Sequence, residues 1–260
     1  MISIICRLGR QVLALQQALG AMLYLFFIIL RYFFVNILRF HLIIKEVYFF
    51  GVLALGIIVA CGVFLGLILG LQAYRSLLTF HAESSLGAVV GISILREVGP
   101  VLAAILFASS TGSAITSEIA LMKTTDQLNA LQVMGVDPIE RILGSRFWAG
   151  VYSLPLLTMI FNMCAICGTY LVAVGFYDLD RVIFWGQMQK VISISFDIKS
   201  SIIKSVAFAF AISLIAVYNG IKAKSTPSGT LQATNHTVVI SSIVILAIDL
   251  MLTVSVSYTH

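Results

Sequence analysis

Residues 84 to 117 read SSLGAVVGISILREVGPVLAAILFASSTGSAITS, and this stretch decides the fold. Arg96 and Glu97 are its only charged residues within 34 positions. A charge inside hydrocarbon is costly, so ionisable residues within a membrane span usually mark a functional site. Gly99 and Pro100 follow directly and allow a helix to bend or break. The stretch therefore predicts a membrane element that lines a polar cavity rather than a passive anchor.

The composition of the whole chain is that of a polytopic membrane protein. Hydrophobic residues make up 60% of the 260 positions and charged residues only 10%, whereas soluble domains contain about 25% charged residues. The net charge of +5 is spread along the chain, which fits basic residues that flank membrane spans and argues against nucleic-acid binding. The histidines are scattered, and Cys164 and Cys167 lie in an apolar run without basic neighbours. We therefore expect neither a metal site nor a redox centre.

Apolar runs predict five membrane-spanning helices, because about 20 apolar residues are enough to cross a bilayer. The runs are residues 47–74, 84–117, 147–177, 201–221 and 237–258. Two interpretations of the second run stay open. Either Arg96 lies at a membrane boundary, or the whole run is one broken, re-entrant or tilted element with its charges inside. We expect Pro155 to kink the third span.

The first 46 residues differ in character from the rest of the chain. Arg7 and Arg10 precede an apolar run, residues 18–30, which is too short to span a bilayer and is followed by no small-residue cleavage site. We expect uncleaved helices that lie in the cytoplasmic interface. The chain then divides into an N-terminal interfacial segment, residues 1–46, and a five-span membrane domain, residues 47–260.

The basic residues predict the orientation of the chain in the membrane. Five spans place the two chain ends on opposite sides. With the N-terminus inside, ten of the sixteen lysines and arginines lie inside and four lie outside, while Arg96 and Lys204 remain within the spans. We therefore predict an all-α integral membrane protein with its N-terminus inside and its C-terminus outside.

The first span carries a regular series of glycines. Gly62, Gly66 and Gly70 follow one another at four-residue spacing, which places them on one helix face. Small residues on one face allow two membrane helices to approach closely. We predict that this face packs against another helix rather than against lipid.

Residues 118–146 form the longest polar stretch between spans on the predicted inner side. Thr124 and Gln127 fit a capping box, with Thr124 as the N-cap of a short helix. The apolar residues of that helix recur at helical spacing and predict one apolar face: Leu128, Leu131 and Met134. Such a short helix, parallel to the membrane, suits either contact with a soluble motor protein or a plain interfacial loop.

The same segment contains a turn and a second helix start. Gly135 suits the position after the C-cap of the short helix. Asp137 and Pro138 suit the N-cap and first position of the next helix, which leads into the third span.

Four stretches of the chain resemble the MlaE family of phospholipid-transport permeases. They are SILREVGP at 93–100, GSAITSEI at 112–119, LNALQVMGVDP at 128–138 and RFWAGV at 146–151. Two shorter stretches extend the likeness, SLPLLT at 153–158 and IKSV at 203–206. The resemblance covers about residues 47 to 260, and the 128–138 stretch is similar to the coupling loop of ABC-transporter permeases.

The resemblance implies a homodimeric permease in the bacterial inner membrane, with several chains around it. The expected partners are an ATP-binding subunit, a small regulatory subunit of the STAS type and a periplasmic hexamer of MCE domains. Such a system moves glycerophospholipids between the inner and outer membranes and maintains outer-membrane lipid asymmetry. The chain has no G-x-x-x-x-G-K-[ST] motif. We therefore expect a non-catalytic subunit without a cofactor, with ATP and Mg²⁺ bound by the partner.

The resemblance also implies the residues of a lipid cavity. Glu97 and Lys204 match cavity residues of the family, and Arg96 is their neighbour. Residues that resemble the periplasmic mouth are Leu69, Leu71, Tyr74, Leu77 and Phe80. For Lys204, a pair with Glu97 and snorkelling to the outer face stay open. Asp249 lies deep in the last span, so we predict a buried polar partner with either a structural role or a role in a moving interface.

The coupling segment is predicted to contact the ATP-binding subunit. The residues assigned to that contact are Asp126, Gln127, Leu128, Leu131, Met134, Gly135, Asp137, Pro138 and Arg141. Two other functions remain as alternatives. One is an intramembrane lipid-modifying enzyme that uses Glu97 or Asp249 as acid or base, although no paired nucleophile or metal set accompanies them. The other is a secondary transporter with a proton relay, although no inverted repeat supports it.

Overall fold

The computed structural model describes residues 2–31 and 40–257, and within these ranges the chain forms helices and short connections without a strand. The α-helices are α1 (Ile2–Arg31), α2 (Phe40–Leu78), α3 (Leu86–Ser93), α4 (Gly99–Phe107), α5 (Ser113–Thr124), α6 (Gln127–Val133), α7 (Gly144–Gly175), α8 (Arg181–Val191), α9 (Ile194–Lys222) and α10 (Pro227–Ser257). Shorter helical segments are the 3₁₀ turn Glu83–Ser85 and the π-helical turns Ile94–Val98, Ala108–Gly112 and Ile139–Leu143. The all-α prediction is confirmed.

Five helical stretches are long and apolar enough to cross a membrane. We number them in chain order: span 1 is Ile43–Leu78, span 2 is Glu83–Thr124, span 3 is Ile139–Gly175, span 4 is Phe196–Lys222 and span 5 is Pro227–Ser255. The prediction of five spans is confirmed, and every span extends beyond the apolar core that predicted it at one end or both. The predicted orientation across the membrane stays a prediction.

Span 2 is one continuous helical element, so the charges of Arg96 and Glu97 lie inside it. The predicted break at Gly99 and Pro100 is wrong. A π-helical turn, Ile94–Val98, precedes them instead, and the Gly99 N–H donates to the carbonyl of Ile94, five residues back. In a regular α-helix the Pro100 ring would collide with the carbonyl of residue 96. The wider π turn relieves that collision and keeps the helix intact.

Spans 1 and 3 pack closely through the predicted glycine face. A Cβ atom at Gly66 would overlap the carbonyl of Ala165, and one at Gly168 would overlap the carbonyl of Val63. The Thr169 hydroxyl donates to the Gly66 carbonyl at 3.0 Å across the same contact. The prediction that this face meets a helix is confirmed. Helix α7 continues through Pro155 without interruption.

The centre of the bundle is apolar and is shared by all five spans. Each span contributes a large side chain with 0% exposure to one cluster: Ile58, Phe107, Phe161, Phe208 and Ile245. Between membrane spans, such side chains stabilise the bundle by close van der Waals packing, because lipid tails are as apolar as the side chains themselves.

The N-terminal helix α1 docks on this bundle by its second half. Phe26 makes edge-to-face contacts with Phe147 and Phe210, at centroid distances of 6.4 and 6.3 Å, and Ile29 is buried. Helix α2 begins at Phe40, so the boundary proposed after residue 46 falls within one helix. Residues 32–39 of the predicted interfacial segment lie outside the described residues. The division into two segments stays a proposal.

Candidate functional site

Arg96 forms an ion pair that links spans 2 and 4. Its Nε donates to Oδ1 of Asp197 at 2.6 Å, and the guanidinium carbon lies 5.7 Å from the centre of the Phe196 ring. The Asp197 side chain is fully buried, whereas that of Arg96 is 43% exposed. The pair therefore fixes Arg96 from one side while leaving it accessible from the other.

Asp197 is a site residue that the sequence analysis missed. The fourth span was predicted to begin at residue 201, which placed Asp197 in an outer loop. In the structure span 4 begins at Phe196, one residue earlier than Asp197. A signal was present, because Asp197, Ser201 and Lys204 follow a four- and three-residue spacing that places them on one helix face.

Lys204 joins span 4 to span 5. Its ammonium donates to Asp249 Oδ1 at 2.9 Å and to the Thr253 hydroxyl at 2.8 Å. The Lys204 side chain is 5% exposed, so the snorkelling interpretation is wrong. The alternative pair between Lys204 and Glu97 is not the one observed. Asp249 is the charged partner of Lys204, and its side chain is partly buried, with 22% exposure; its role stays a prediction.

Span 4 thus carries a buried polar stripe, which we define as Asp197, Ser201 and Lys204. Between its two ion pairs, the side-chain amide of Asn162 on span 3 donates to the Ser201 hydroxyl at 3.1 Å. Asn162 also explains why position 99 is a glycine, because the Asn162 Oδ1 occupies the place that a Cβ at position 99 would need. The stripe therefore connects span 4 to spans 2 and 3 by one polar contact each and to span 5 by two.

Glu97 and the predicted mouth residues divide into exposed and packed groups. Glu97, Leu71 and Phe80 are exposed, the last by 79%. Three others pack on the apolar cluster that includes Ile94 and Leu95, directly before Arg96: Leu69, Tyr74 and Leu77. The Tyr74 ring also stacks on Tyr177 at 3.7 Å. The role of these residues in a lipid cavity stays a prediction.

The coupling segment has the predicted helix, but with a different start. Helix α5 runs to Thr124, whose hydroxyl donates back to the carbonyl of Ala120 at 2.7 Å. Thr124 is therefore the last residue of one helix, and the predicted capping box is wrong. Asp126 takes the N-cap position of α6 in a left-handed conformation, with φ 55° and ψ 16°. Because Thr124 is still part of α5, its hydroxyl bonds back to the carbonyl four residues earlier instead of capping α6.

The turn after α6 agrees with the sequence. Gly135 has φ 77°. Its N–H donates to the Gln132 carbonyl, and that of Val136 donates to the Leu131 carbonyl, which is a Schellman motif. Asp137 Oδ1 accepts the N–H of Ile139 at 2.9 Å, so its N-cap role is confirmed.

Helix α6 presents apolar side chains to the outside. Met134 is 67% exposed and Val133 is 89% exposed, whereas Leu128 and Leu131 are half-buried. Pro138 is buried, and the remaining residues assigned to the coupling contact are exposed: Asp126, Gln127, Gly135, Asp137 and Arg141. The segment therefore offers a mixed apolar and polar surface to a partner.

A third ion pair, between spans 2 and 3, lies beside α6. Arg146 Nη2 contacts Glu118 Oε2 at 2.9 Å, and the Arg146 side chain is 7% exposed. Both residues line a cavity of about 340 Å³, together with Glu46 of span 1 and Gln127 of α6. The sequence analysis did not single out this pair, although both residues belong to the stretches on which the family resemblance rests. Within the described part of the chain, no histidine, cysteine or acidic cluster could hold a metal ion.

The amino-acid sequence of the chain matches a known protein family and several known proteins. The family model described as permease MlaE matches residues 43–255. The chain belongs to the MlaE permease family. It is 44% identical over 252 residues to the intermembrane phospholipid transport system permease protein MlaE of Haemophilus influenzae, with 97% of each chain covered. It is also 32% identical over 245 residues, 94% of each chain, to a probable ABC transporter permease protein of Rickettsia prowazekii.

The MlaE match and the five spans cover the same part of the chain. The match begins at the first residue of span 1 and ends at the last residue of span 5. The polar stripe, Arg96, Asp249 and α6 all lie inside it. All of α1 lies outside the MlaE match, although the relative from Haemophilus influenzae aligns over 97% of the chain.

Proposed function

We propose that this chain is the permease subunit of an ABC transporter that moves glycerophospholipids between the inner and outer membranes and so maintains outer-membrane lipid asymmetry. The observation that carries the proposal is the buried polar stripe with the accessible Arg96 beside it. Buried charges inside an apolar bundle are costly and need a functional reason. A phospholipid supplies one, because its phosphate needs cationic donors within the membrane.

Arg96 is the residue best suited to meet that phosphate. A guanidinium has five N–H donors in a planar fork and remains charged when it is partly buried. Asp197 engages the Nε group and holds the side chain in place. The exposed portion of Arg96 leaves donors for a ligand, and the neighbouring Glu97 is exposed on the same turn. Lys204 is buried and donates to both Asp249 and Thr253 of span 5, so we assign it to holding spans 4 and 5 together.

Energy for transport would enter at α6. The chain lacks a phosphate-binding glycine loop, and its relatives include proteins named as ABC transporter permeases. ATP and Mg²⁺ would therefore bind to a partner subunit that contacts the exposed apolar residues of α6. The start of α6 borders the same cavity as the ion pair between Glu118 and Arg146. Movement of α6 would thereby reach spans 1, 2 and 3.

The wider assembly is also part of the proposal. It comprises a second copy of this chain, an ATP-binding subunit, a small STAS-type subunit and a periplasmic MCE-domain hexamer, in the bacterial inner membrane. These partners rest on the family resemblance. They agree with the exposed surface of α6 and with an intermembrane role for the relative from Haemophilus influenzae.

Purification of the tagged chain from its host in mild detergent tests this function. Mass spectrometry of the co-purifying chains and lipids should find a soluble ATPase and glycerophospholipid. A chain that purifies without an ATPase under conditions that keep the dimer intact would favour a secondary transporter or a lipid-modifying enzyme.

A further inference from the structure

The α6 end of the bundle holds two adjoining cavities between α1 and spans 3, 4 and 5, far from the polar stripe. Lys222 lies 18 residues after Lys204 on α9, which corresponds to about 27 Å along the helix. The first cavity has a volume of about 280 Å³ and the second about 370 Å³. Tyr218 and Lys222 line both, so the two volumes share one wall.

The first cavity is cationic. Its wall includes Lys222, Lys224 and His236, and no carboxylate is among its lining residues. Lys222 lies 3.3 Å from the Tyr218 hydroxyl and 5.4 Å from the centre of the same ring. Within the described residues no ion pair joins Lys222 or Lys224 to an acid. Positive charge in this cavity is therefore not neutralised by the surrounding spans.

A third lysine increases this positive charge. Lys123, at the end of span 2, donates to the carbonyls of Ile221 and Ala223 at 2.7 and 2.8 Å. These contacts satisfy the last carbonyls of span 4 but bring no negative side chain to the site. An anion in the first cavity would thus face Lys222 and Lys224, while Lys123 adds positive charge beside Ala223 without lining the cavity.

The second cavity is apolar and lies beside the first. Except for the shared Lys222, its wall consists of aliphatic and aromatic residues: Ala21, Tyr24, Leu25, Ile28, Ile139, Tyr218 and Ile221. Span 3 begins at Ile139 and span 4 ends at Lys222, so both cavities lie where the apolar spans meet the polar region. Helix α1 forms one side of this groove.

We propose that these two cavities form a binding site for a glycerophospholipid with an anionic headgroup, separate from the transport site. The headgroup phosphate binds Lys222 and Lys224, and one acyl chain lies against Leu25 and Ile28 of α1. Each volume is near the lower end of the range of about 300 to 1,000 Å³ that is common for ligand pockets, which suits part of a lipid in each. The bound lipid fastens α1 to spans 3 and 4.

Native mass spectrometry of the full-length chain in detergent, titrated with phosphatidylglycerol or phosphatidylcholine, tests the site. The variant Lys222→Gln with Lys224→Gln should weaken phosphatidylglycerol retention roughly 10- to 30-fold, since each lysine near a membrane surface contributes about 1 kcal/mol. The matched control, Lys190→Gln with Lys199→Gln, makes the same charge change at exposed positions. It should retain phosphatidylglycerol as the wild type does.

A second pair of variants separates a lipid from a free anion. Ala21→Trp fills the apolar cavity without changing charge, whereas Leu23→Trp places the same ring at an exposed position on α1 that lines neither cavity. A lipid site requires that Ala21→Trp also reduce retention at least fivefold, with Leu23→Trp unchanged. If only the lysine variant loses binding and inorganic phosphate competes, the ligand is a free anion and the proposal is overturned. Unchanged retention in both test variants overturns it as well.

Lipid binding at the α1 site can be measured separately from lipid binding at Arg96. Arg96→Gln should remove lipid at the polar stripe while leaving phosphatidylglycerol at the α1 site. Each variant is compared only when it elutes as a monodisperse species and melts within a few degrees of the wild type. A loss confined to Arg96→Gln would therefore support the transport site alone and reject the α1 site.

Discussion

At the end of the bundle opposite α6, polar side chains are buried in apolar spans, whereas at the α6 end apolar side chains are exposed on a polar segment. Asp197 and Lys204 are almost inaccessible, and each is held by a partner on another span. Met134 and Val133 are mostly exposed, and no other described residue of the chain covers them. Both arrangements cost free energy that the fold itself does not require. We propose that the first marks a site for a charged ligand within the membrane and that the second is a surface that a partner covers.

The largest effect on stability is expected from Asp249→Ala. Its removal leaves the Lys204 ammonium buried without a counter-charge, which typically costs about 3–5 kcal/mol. Thermal melting of the purified chain in detergent measures this loss. The double variant Lys204→Met with Asp249→Leu removes both charges and should recover most of the stability. A double variant as unstable as the single one would show that packing, and not the unpaired charge, sets the cost.

Gly66→Ala should have the next largest effect on stability. It acts on the close contact between spans 1 and 3. The new Cβ overlaps the Ala165 carbonyl, and such overpacking costs about 1–3 kcal/mol. Gly56→Ala on the same helix meets no atom within 4 Å and should be neutral or stabilising by up to about 1 kcal/mol. Equal melting temperatures for the two variants would contradict the close packing of these spans.

Asp137→Ala should destabilise the coupling segment by about 1 kcal/mol, since it removes the N-cap bond to Ile139. Thr124→Ala should change stability by less than about 0.5 kcal/mol, because its hydroxyl only bonds back within its own helix. Amide hydrogen exchange of residues 124–143 distinguishes the two variants, because it should be faster in Asp137→Ala than in Thr124→Ala. The reverse order would restore Thr124 to the capping role that the sequence suggested.

The smallest effect on stability is expected from Met134→Asp, which should stay within about 0.5 kcal/mol because the side chain is exposed. Its effect on function should be large: lipid transport by the reconstituted complex should be lost while ATP hydrolysis continues. Gln132→Asp introduces the same charge at another exposed position of α6 and serves as the control. Transport at the wild-type rate in Met134→Asp would remove α6 from the coupling pathway.

The sequence was most informative where a single helix determines the result. Span number, the glycine face of span 1, the left-handed Gly135 and the Asp137 cap all follow from residue type and spacing within one element. It was least informative where two elements compete or meet. The Thr124 hydroxyl could either accept an N–H as the cap of α6 or donate to the Ala120 carbonyl, and only the length of α5 decides between the two. Asp197 became visible as a site residue only when Arg96 of another span was placed beside it.

The ion pair between Lys204 and Asp249 has a consequence for how the chain enters the membrane during synthesis. A Lys or Asp within a span raises the cost of insertion, by up to about 2.5–3.5 kcal/mol at the centre of the span, so spans 4 and 5 each carry a penalty when they insert alone. Only residues 223–226 separate the two spans. Inserting them together as a helical hairpin lets the two charges neutralise each other before either faces lipid. The ion pair between Lys204 and Asp249 thus also favours the insertion of spans 4 and 5 as one unit.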